Sequence, residues 1–372
     1  GRRKIKKNAR GWVVKNKNCW SRFQLSALAV VGIFYSLQAA AVDYTITDLG
    51  TFSASDINNN GQVVGSAFLY SNGTMTDLGT LGGTSSSANG INNYGQVVGS
   101  SNTAGNAASH AFLYSGGTMT DLGTLGATYT DSVARDINNN GQIVGYSNTA
   151  GFAVARAFLY SGGTMTDLGT FGGSYTFARD INDNGEVAGN SWTTDGYSRA
   201  FLYSDGTMTD LGTLGGTSSG AYGINNSGQI VGNASIAGNT AAHAFLYSGG
   251  IINDLGILDG ATSSFAFGIN NSGQVVGFSE TVGDNTANRA FLYTNGAMLD
   301  LNSLISADSG WALKVASAIN DSGQIIGSGI INGQTHAFLM TPVPIPAAFW
   351  LFGSGLVGLF GFMRRGRSQR IN

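Results

Sequence analysis

Cysteine is almost missing from this 372-residue chain: Cys19 is the only one. It precedes the point where a leader is expected to be cut, so the mature domain is expected to have no thiol and no disulfide. Stability must then come from packing, and about 300 residues suffice, since a domain of that size buries roughly three-quarters of the surface of its unfolded chain. Basic residues are scarce in the body of the chain. Nine of the 19 Lys and Arg fall within residues 1–22 and four within 364–370, whereas all 21 Asp and Glu lie between Asp43 and Asp321. The body therefore sets six basic residues against 21 acidic ones, a net −15. Nucleic-acid phosphates bind clustered Lys and Arg, so nucleic acid is not expected as a partner. Glutamate is scarce too: Glu186 and Glu280 are the only two, and neither has a carboxylate partner at a spacing that argues for glycoside hydrolysis. Helical patterning is nearly absent.

The two ends read as addresses. Residues 23–37 are mostly apolar, follow a basic stretch and lead to Ala39-Ala40-Ala41, the small-residue pattern of a secretory signal peptide. Residues 1–42 are therefore expected to be a signal segment, a retained membrane anchor being the alternative. At the other end Val343-Pro344-Ile345-Pro346 precedes about 17 apolar residues and then Arg364, Arg365, Arg367 and Arg370. That length is at the lower limit of a membrane-spanning helix, and the arginines after it would hold the end in the cytoplasm. Residues 342–372 are expected to form this terminal segment with its hydrophobic helix.

The middle, residues 43–341, is built from three phrases that recur in fixed order. A D-L-G phrase begins at Asp48, Asp77, Asp121, Asp167, Asp210, Asp254 and Asp300, reading D-L-N in the last. An I-N-x-x-G phrase begins at Ile57, Ile91, Ile137, Ile181, Ile224, Ile269 and Ile319, and an A-F-L phrase at Ala67, Ala111, Ala157, Ala200, Ala244, Ala290 and Ala337. Successive D-L-G spacings are 29, 44, 46, 43, 44 and 46 residues, the length of a four-stranded propeller blade. Runs of Phe, Leu, Tyr, Val and Thr between Gly, Asn and Asp clusters read as strands. Asn72-Gly73, Gly116-Gly117, Gly162-Gly163, Asp205-Gly206, Gly249-Gly250 and Asn295-Gly296 suit two-residue type I′ hairpins. The F-L-Y strands are apolar on both faces, which calls for cover on both sides. The repeat begins and ends partway through a hairpin, so residues 44–50 are expected to pair with 336–340 and leave no open sheet edge. The expected fold is an all-β, seven-unit β-propeller closed by its terminal strands, with a shortened first unit.

The segment V-P-I-P-A-A-F-W-L-F-G-S-G-L-V-G-L-F-G-F-M-R-R resembles the PEP-CTERM sorting signal, through Val343, Pro344, Pro346, Trp350, Gly353, Gly355, Arg364 and Arg365; Ile345 stands where the name-giving form has Glu. The resemblance implies an exosortase as processing partner, transient anchoring in the inner membrane, a Gram-negative envelope, surface or matrix location, and exopolysaccharide nearby. A plain tail anchor is the alternative. His110-Ala111-Phe112-Leu113-Tyr114 and Thr118-Met119-Thr120-Asp121-Leu122-Gly123 resemble the HAF family of extracellular repeats, and the likeness runs through nearly the whole middle. It implies an extracellular location and little chemistry.

Individual residues add detail. His110, Arg156, Arg199, His243 and Arg289 each stand 11 residues before Asp121, Asp167, Asp210, Asp254 and Asp300, which in a two-residue-turn hairpin puts each pair diagonally across one face. They are expected to be structural ion pairs, and ring closure would give His336 the partner Asp48. A catalytic reading would need a nucleophile beside them, and the phrases place none. Asp56, Asn58 and Asn60 match the opening of a calcium loop, but the twelfth position is Ala67 instead of a bidentate Glu, so ordinary turn formation is expected with weak calcium binding as the alternative. Trp192, Tyr197 and Trp311 break the repeat and are candidate ligand contacts, because aromatic rings cover the apolar faces of sugars. Together these features point to an exported binding or scaffolding module, possible polysaccharide partner included, with no enzyme activity and no cofactor expected. The rival is a polysaccharide-active enzyme with its site in loops at one end of the propeller.

Overall fold

The structure, a computed structural model, describes residues 44–126, 131–149, 154–281 and 284–343. The expected signal segment and the expected C-terminal hydrophobic helix lie outside the described residues, as does the sorting motif beyond Val343. Among the described residues no helix is long and apolar enough to cross a membrane.

The fold is all-β and of the propeller type, a series of four-stranded antiparallel sheets. Sheet 3 is representative: Ser132–Ile137, Ile143–Asn148, Ala155–Ser161 and Thr164–Asp167 pair in chain order. Sheets 1 to 6 each use four consecutive strands. Sheet 7 takes Ala312–Ile319, Ile325–Ile331 and Gln334–Pro342, and its outer strand is Tyr44–Gly50, with Tyr44 opposite Pro342 and Asp48 opposite Phe338. The first sheet is shortened, not incomplete: its first strand is Asp56–Ile57 and its second Val63–Gly65. A single parallel bridge, Ala155 to Tyr175, also ties sheets 3 and 4.

Each recurring phrase does one physical job. The six turn dipeptides carry positive φ at both residues, for example 58° and 84° at Gly116 and Gly117, as type I′ turns require. In D-L-G the Asp carboxylate accepts the N–H of the Gly two residues on, as Asp121 does from Gly123 at 2.8 Å, an Asx turn that ends the outer strand. The Leu that follows the Asp is buried at Leu78, Leu122, Leu168, Leu211, Leu255 and Leu301. In A-F-L of sheets 2 to 7 the Ala and Phe are sealed from solvent, with Phe112, Phe158, Phe201, Phe245, Phe291 and Phe338 fully buried, whereas Ala67 and Phe68 of the shortened first sheet are half-buried.

These side chains pack sheet against sheet. Val144, Ala157 and Leu168 of sheet 3 meet Ala178, Ile181, Val187 and Phe201 of sheet 4, and the same arrangement recurs between the other consecutive sheets. Ile326 and Leu339 of sheet 7 pack on Ile57 and Val63 of sheet 1. Each fully buried large apolar side chain stabilises by about 1.5–3 kcal/mol, most of it offset by chain entropy.

The Asn of I-N-x-x-G-Q supplies the polar counterpart. Asn138 Oδ1 accepts the N–H groups of Asn140 and Gln142, and its Nδ2 donates to Gln142 Oε1 and to the Asn182 carbonyl of the next sheet, at 2.8–3.0 Å. Every hydrogen-bonding site of the buried amide is used. The link to the next sheet runs Asn58 to Asn92, Asn138, Asn182, Asn225, Asn270 and Asn320, and Asn320 donates back to the Asn58 carbonyl. A second circuit sits one residue on: the backbone N–H of Asn59, Asn93, Asn139, Asp183, Asn226, Asn271 and Asp321 each donates to the next side chain, and Asp321 N–H returns to Asn59.

The residue two before the Ile of each I-N phrase is a β-bulge in sheets 2 to 7, as between Ala134 and Asp136. The bulge turns a carbonyl toward the second strand, where only glycine fits: a Cβ on Gly145 would stand 2.0 Å from the Val133 oxygen.

Replacing Asn138 by Ala strands buried backbone groups in two sheets, so urea unfolding is expected to show a loss of about 2–4 kcal/mol. A loss within 0.5 kcal/mol would mean that the circuit carries no stability. Gly145→Ala is expected to cost about 1–3 kcal/mol or more through overpacking, read in the same measurement.

Candidate ligand-binding channel

The first strands of all seven sheets line one polar cavity beside the Asn circuits, with a volume of ≈ 180 Å³. It shares Asp56, Asp136 and Asp180 with a second cavity of ≈ 160 Å³. Two layers of side chains face this inner space. The position before each Ile holds Asp56, Gly90, Asp136, Asp180, Gly223, Gly268 and Ala318, and the bulge position before that holds Ser55, Asn89, Arg135, Arg179, Tyr222, Phe267 and Ser317. Bulges re-aim side chains, which is how two arginines and two aromatic rings reach the lining of the second cavity.

The carboxylates are tied to the backbone. Asp56 accepts the N–H of Ile57 at 2.8 Å and of Ile91, in the next sheet, at 2.9 Å. Asp136 accepts from Ile181 at 3.1 Å, and Asp180 from Ile181 and Ile224 at 2.8 and 2.7 Å. Where Gly90 replaces Asp the sheets approach too closely for a side chain, since its Cβ would lie 2.8 Å from Asp136 Cα. Burial, then the nearby Asp136 charge, pushes Asp56 up to about 7, against the pull of the two N–H donors. Burial likewise raises Asp180 well above the ordinary carboxylate range, helped by the charge of Asp136 and a hydrogen bond to it. At the mouth, Asp183 goes the other way: partial burial raises it, but the Asn139 N–H and the Asn139 and Asn226 amides together outweigh that and hold it low.

The arginines rest on aromatic faces. Arg135 lies 5.5 Å from the Tyr146 ring centroid, and Arg179 lies 5.4 and 5.7 Å from those of Phe177 and Tyr222. Burial and the neighbouring Arg135 charge lower the Arg179 pKa. Burial raises the Tyr222 hydroxyl, opposed by Arg179. From Phe177 an aromatic row continues outward through Tyr175 to Trp192, whose ring meets Tyr175 edge-on at 4.7 Å.

The structure brings some expected residues together and leaves others apart. His110 meets Asp121, His243 meets Asp254 and His336 meets Asp48 at 2.8–2.9 Å; Arg289 reaches Asp300 at 3.3 Å. Arg156 and Arg199 form no ion pair with Asp167 and Asp210 among the described residues. The Asx turn holds each of these carboxylates on its Gly N–H. Trp192 and Tyr197 are exposed on sheet 4, whereas Trp311 packs edge-on against Phe338 and His336 and belongs to the core of sheet 7. The three do not form one surface. Asn58 and Asn60 spend their amides on the turn and on the Asn92 and Asn93 carbonyls, so with Asp56 they do not converge on a common centre. Among the described residues no group of three or more His, Cys, Asp or Glu is placed to hold a metal ion.

Sequence reasoning passed over Arg135, Arg179, Tyr222 and Phe267. The signal for them was present: the two residues before I-N vary from unit to unit while the phrase after them is constant.

No protein-family model matches the chain, and no curated protein matches it. Among solved structures the chain is similar to a puromycin-hydrolyzing peptidase of Mycobacterium tuberculosis, with TM-score 0.49 and 12% identity over 81% of this chain and 54% of that one. It is also similar to a Trypanosoma rangeli sialidase, with TM-score 0.40 and 11% identity over 80% and 59%, and to TolB from Acinetobacter baumannii, with TM-score 0.35 and 11% identity over 63% and 60%. The chain thus spans little more than half the length of these proteins.

The raised carboxyls make stability depend on pH. Folded Asp56 holds its proton up to about pH 7, against an ordinary carboxylate value of about 4, so its contribution is fully present below about pH 4 and lost as pH rises through 7. Asp180 acts in the same direction. The protein is expected to be more stable at pH 5 than at pH 8, by roughly 3 kcal/mol from Asp56, with a correspondingly higher melting temperature, and Asp56→Asn is expected to flatten the profile. A melting temperature that rises from pH 5 to pH 8 would contradict the assignment.

Proposed function

We propose that this chain is an exported, closed seven-unit β-propeller that binds or scaffolds extracellular polysaccharide without transforming it. The observation that carries the reading is the division of labour in the repeat. Positions that build the scaffold are constant, whereas those projected into the channel are changed unit by unit into Arg, Asp, Tyr and Phe. A scaffold alone does not require that variation. The ring reading draws on the pairing of Tyr44–Gly50 with Gln334–Pro342 and on the return of both Asn circuits to their start.

The address proposed with it is a Gram-negative cell envelope, surface or matrix. The basis is the leader-like segment, the HAF-like repeats and the PEP-CTERM-like tail; an exosortase would process that tail, with transient anchoring in the inner membrane.

The second reading, a polysaccharide-active enzyme, draws support from Asp56, a carboxyl that stays protonated to about pH 7, as a general acid must. Its two oxygens already accept the N–H groups of Ile57 and Ile91, which favours the structural role.

A glycan array with the purified full chain, followed by a reducing-end assay on each hit, separates the two. Saturable binding with no new reducing ends is expected. Release of ends that Asp56→Asn abolishes would establish the enzyme instead, and an array with no hits would overturn the polysaccharide reading.

A further inference from the structure

Arg135 and Arg179 are the bulge residues of neighbouring sheets and line the same ≈ 160 Å³ cavity. Neither forms an ion pair among the described residues. Arg135 Nε is buried without a hydrogen-bond partner, and Arg179 Nε makes one long contact, 3.4 Å, to Asn190 Oδ1. Aromatic rings cover the guanidinium faces, so the N–H edges are what remain for a ligand. Two like charges held together in a partly buried space repel one another, and a buried donor without a partner costs about 1–3 kcal/mol.

The carboxylates of the same cavity do not relieve this. Asp56, Asp136 and Asp180 are each committed to backbone N–H groups of the first strands. Among the described residues no carboxylate makes an ion pair with either guanidinium, and the Tyr222 and Phe267 side chains are also in the cavity lining. A planar carboxylate matches the fork of guanidinium donors, and an attached ring would find aromatic side chains beside it.

We propose that Arg135 and Arg179 together clamp the carboxylate of a small organic acid, such as a sugar acid or the acidic unit of a longer glycan. The proposal deepens the polysaccharide reading by naming the charged group recognised, and it rests on that reading only for the longer ligand.

The test is isothermal calorimetry on the full chain with D-glucuronate, D-glucose and inorganic phosphate. Glucuronate is expected to bind saturably and at least tenfold more tightly than glucose. Arg135→Gln and Arg179→Gln are each expected to weaken glucuronate at least tenfold, with Arg179→Lys recovering part of the loss. Equal affinity for glucose and glucuronate, binding of phosphate but not glucuronate, or substitutions that change affinity less than twofold would each overturn the clamp. The comparison of sugars on the unsubstituted protein stands even where a variant fails to fold, which circular dichroism would reveal. Array hits that persist unchanged in both Arg variants would sink the clamp and leave the polysaccharide reading intact. Glucuronate binding with an empty array would do the reverse.

Discussion

The arrangement depends on an asparagine side chain that does two things at once. Its oxygen closes its own turn by accepting two backbone N–H groups, while its nitrogen reaches across to a carbonyl of the neighbouring sheet. No other side chain offers an acceptor and two donors on so short a stem. Aspartate would put an anion against a carbonyl, and glutamine would overreach. Because the amide is buried and has no spare valence, each turn can be correct only if its neighbour is present, and local folding is thereby coupled to the assembly of the whole set of sheets. Apolar packing between sheets provides most of the driving force, but it is non-directional. The amide relay determines which end of each sheet faces inward, and at what height.

That inward-facing layer is where constancy stops. A bulge just before the relay frees one side chain per sheet from the core and from the ladder. Two arginines and two aromatics have been placed at such positions on four consecutive sheets, giving one half of the channel a character the other half, with Ser55, Asn89 and Ser317, does not share.

Much of the fold was legible in the sequence because repetition multiplies weak signals. Seven copies of I-N-x-x-G fix a turn that one copy would leave ambiguous, and Gly116-Gly117 or Asn295-Gly296 demand positive φ whatever surrounds them. The pairing of His336 with Asp48 could be anticipated because it repeats a local spacing across the seam. The channel residues were harder to find. A β-bulge has no signature in apolar alternation, so Arg135 and Arg179 were marked only by the variation before the I-N phrase, and Asp56, matching the opening of a calcium loop, was expected to form an ordinary turn. Trp311 also breaks the repeat, and the structure places it half-buried, edge-on against Phe338 and His336. Arg156 and Arg199 share their residue type and spacing with Arg289, which does pair with Asp300, so the spacing alone does not encode the contact.

The outer strand of sheet 7 comes from the beginning of the repeats and its other three strands from the end. During synthesis Tyr44–Gly50 emerges first and then has no edge to join until nearly 300 further residues have been made. For that interval it is a loose ribbon of alternating apolar residues, open to passing chains, and the first sheet lacks its neighbour on one flank. Pairing of Tyr44–Gly50 with Gln334–Pro342 is therefore obliged to be a late event, slow in the manner of long-range β pairing. A chain arrested between Asp300 and Gln334 would have six sheets able to form and none of the seam.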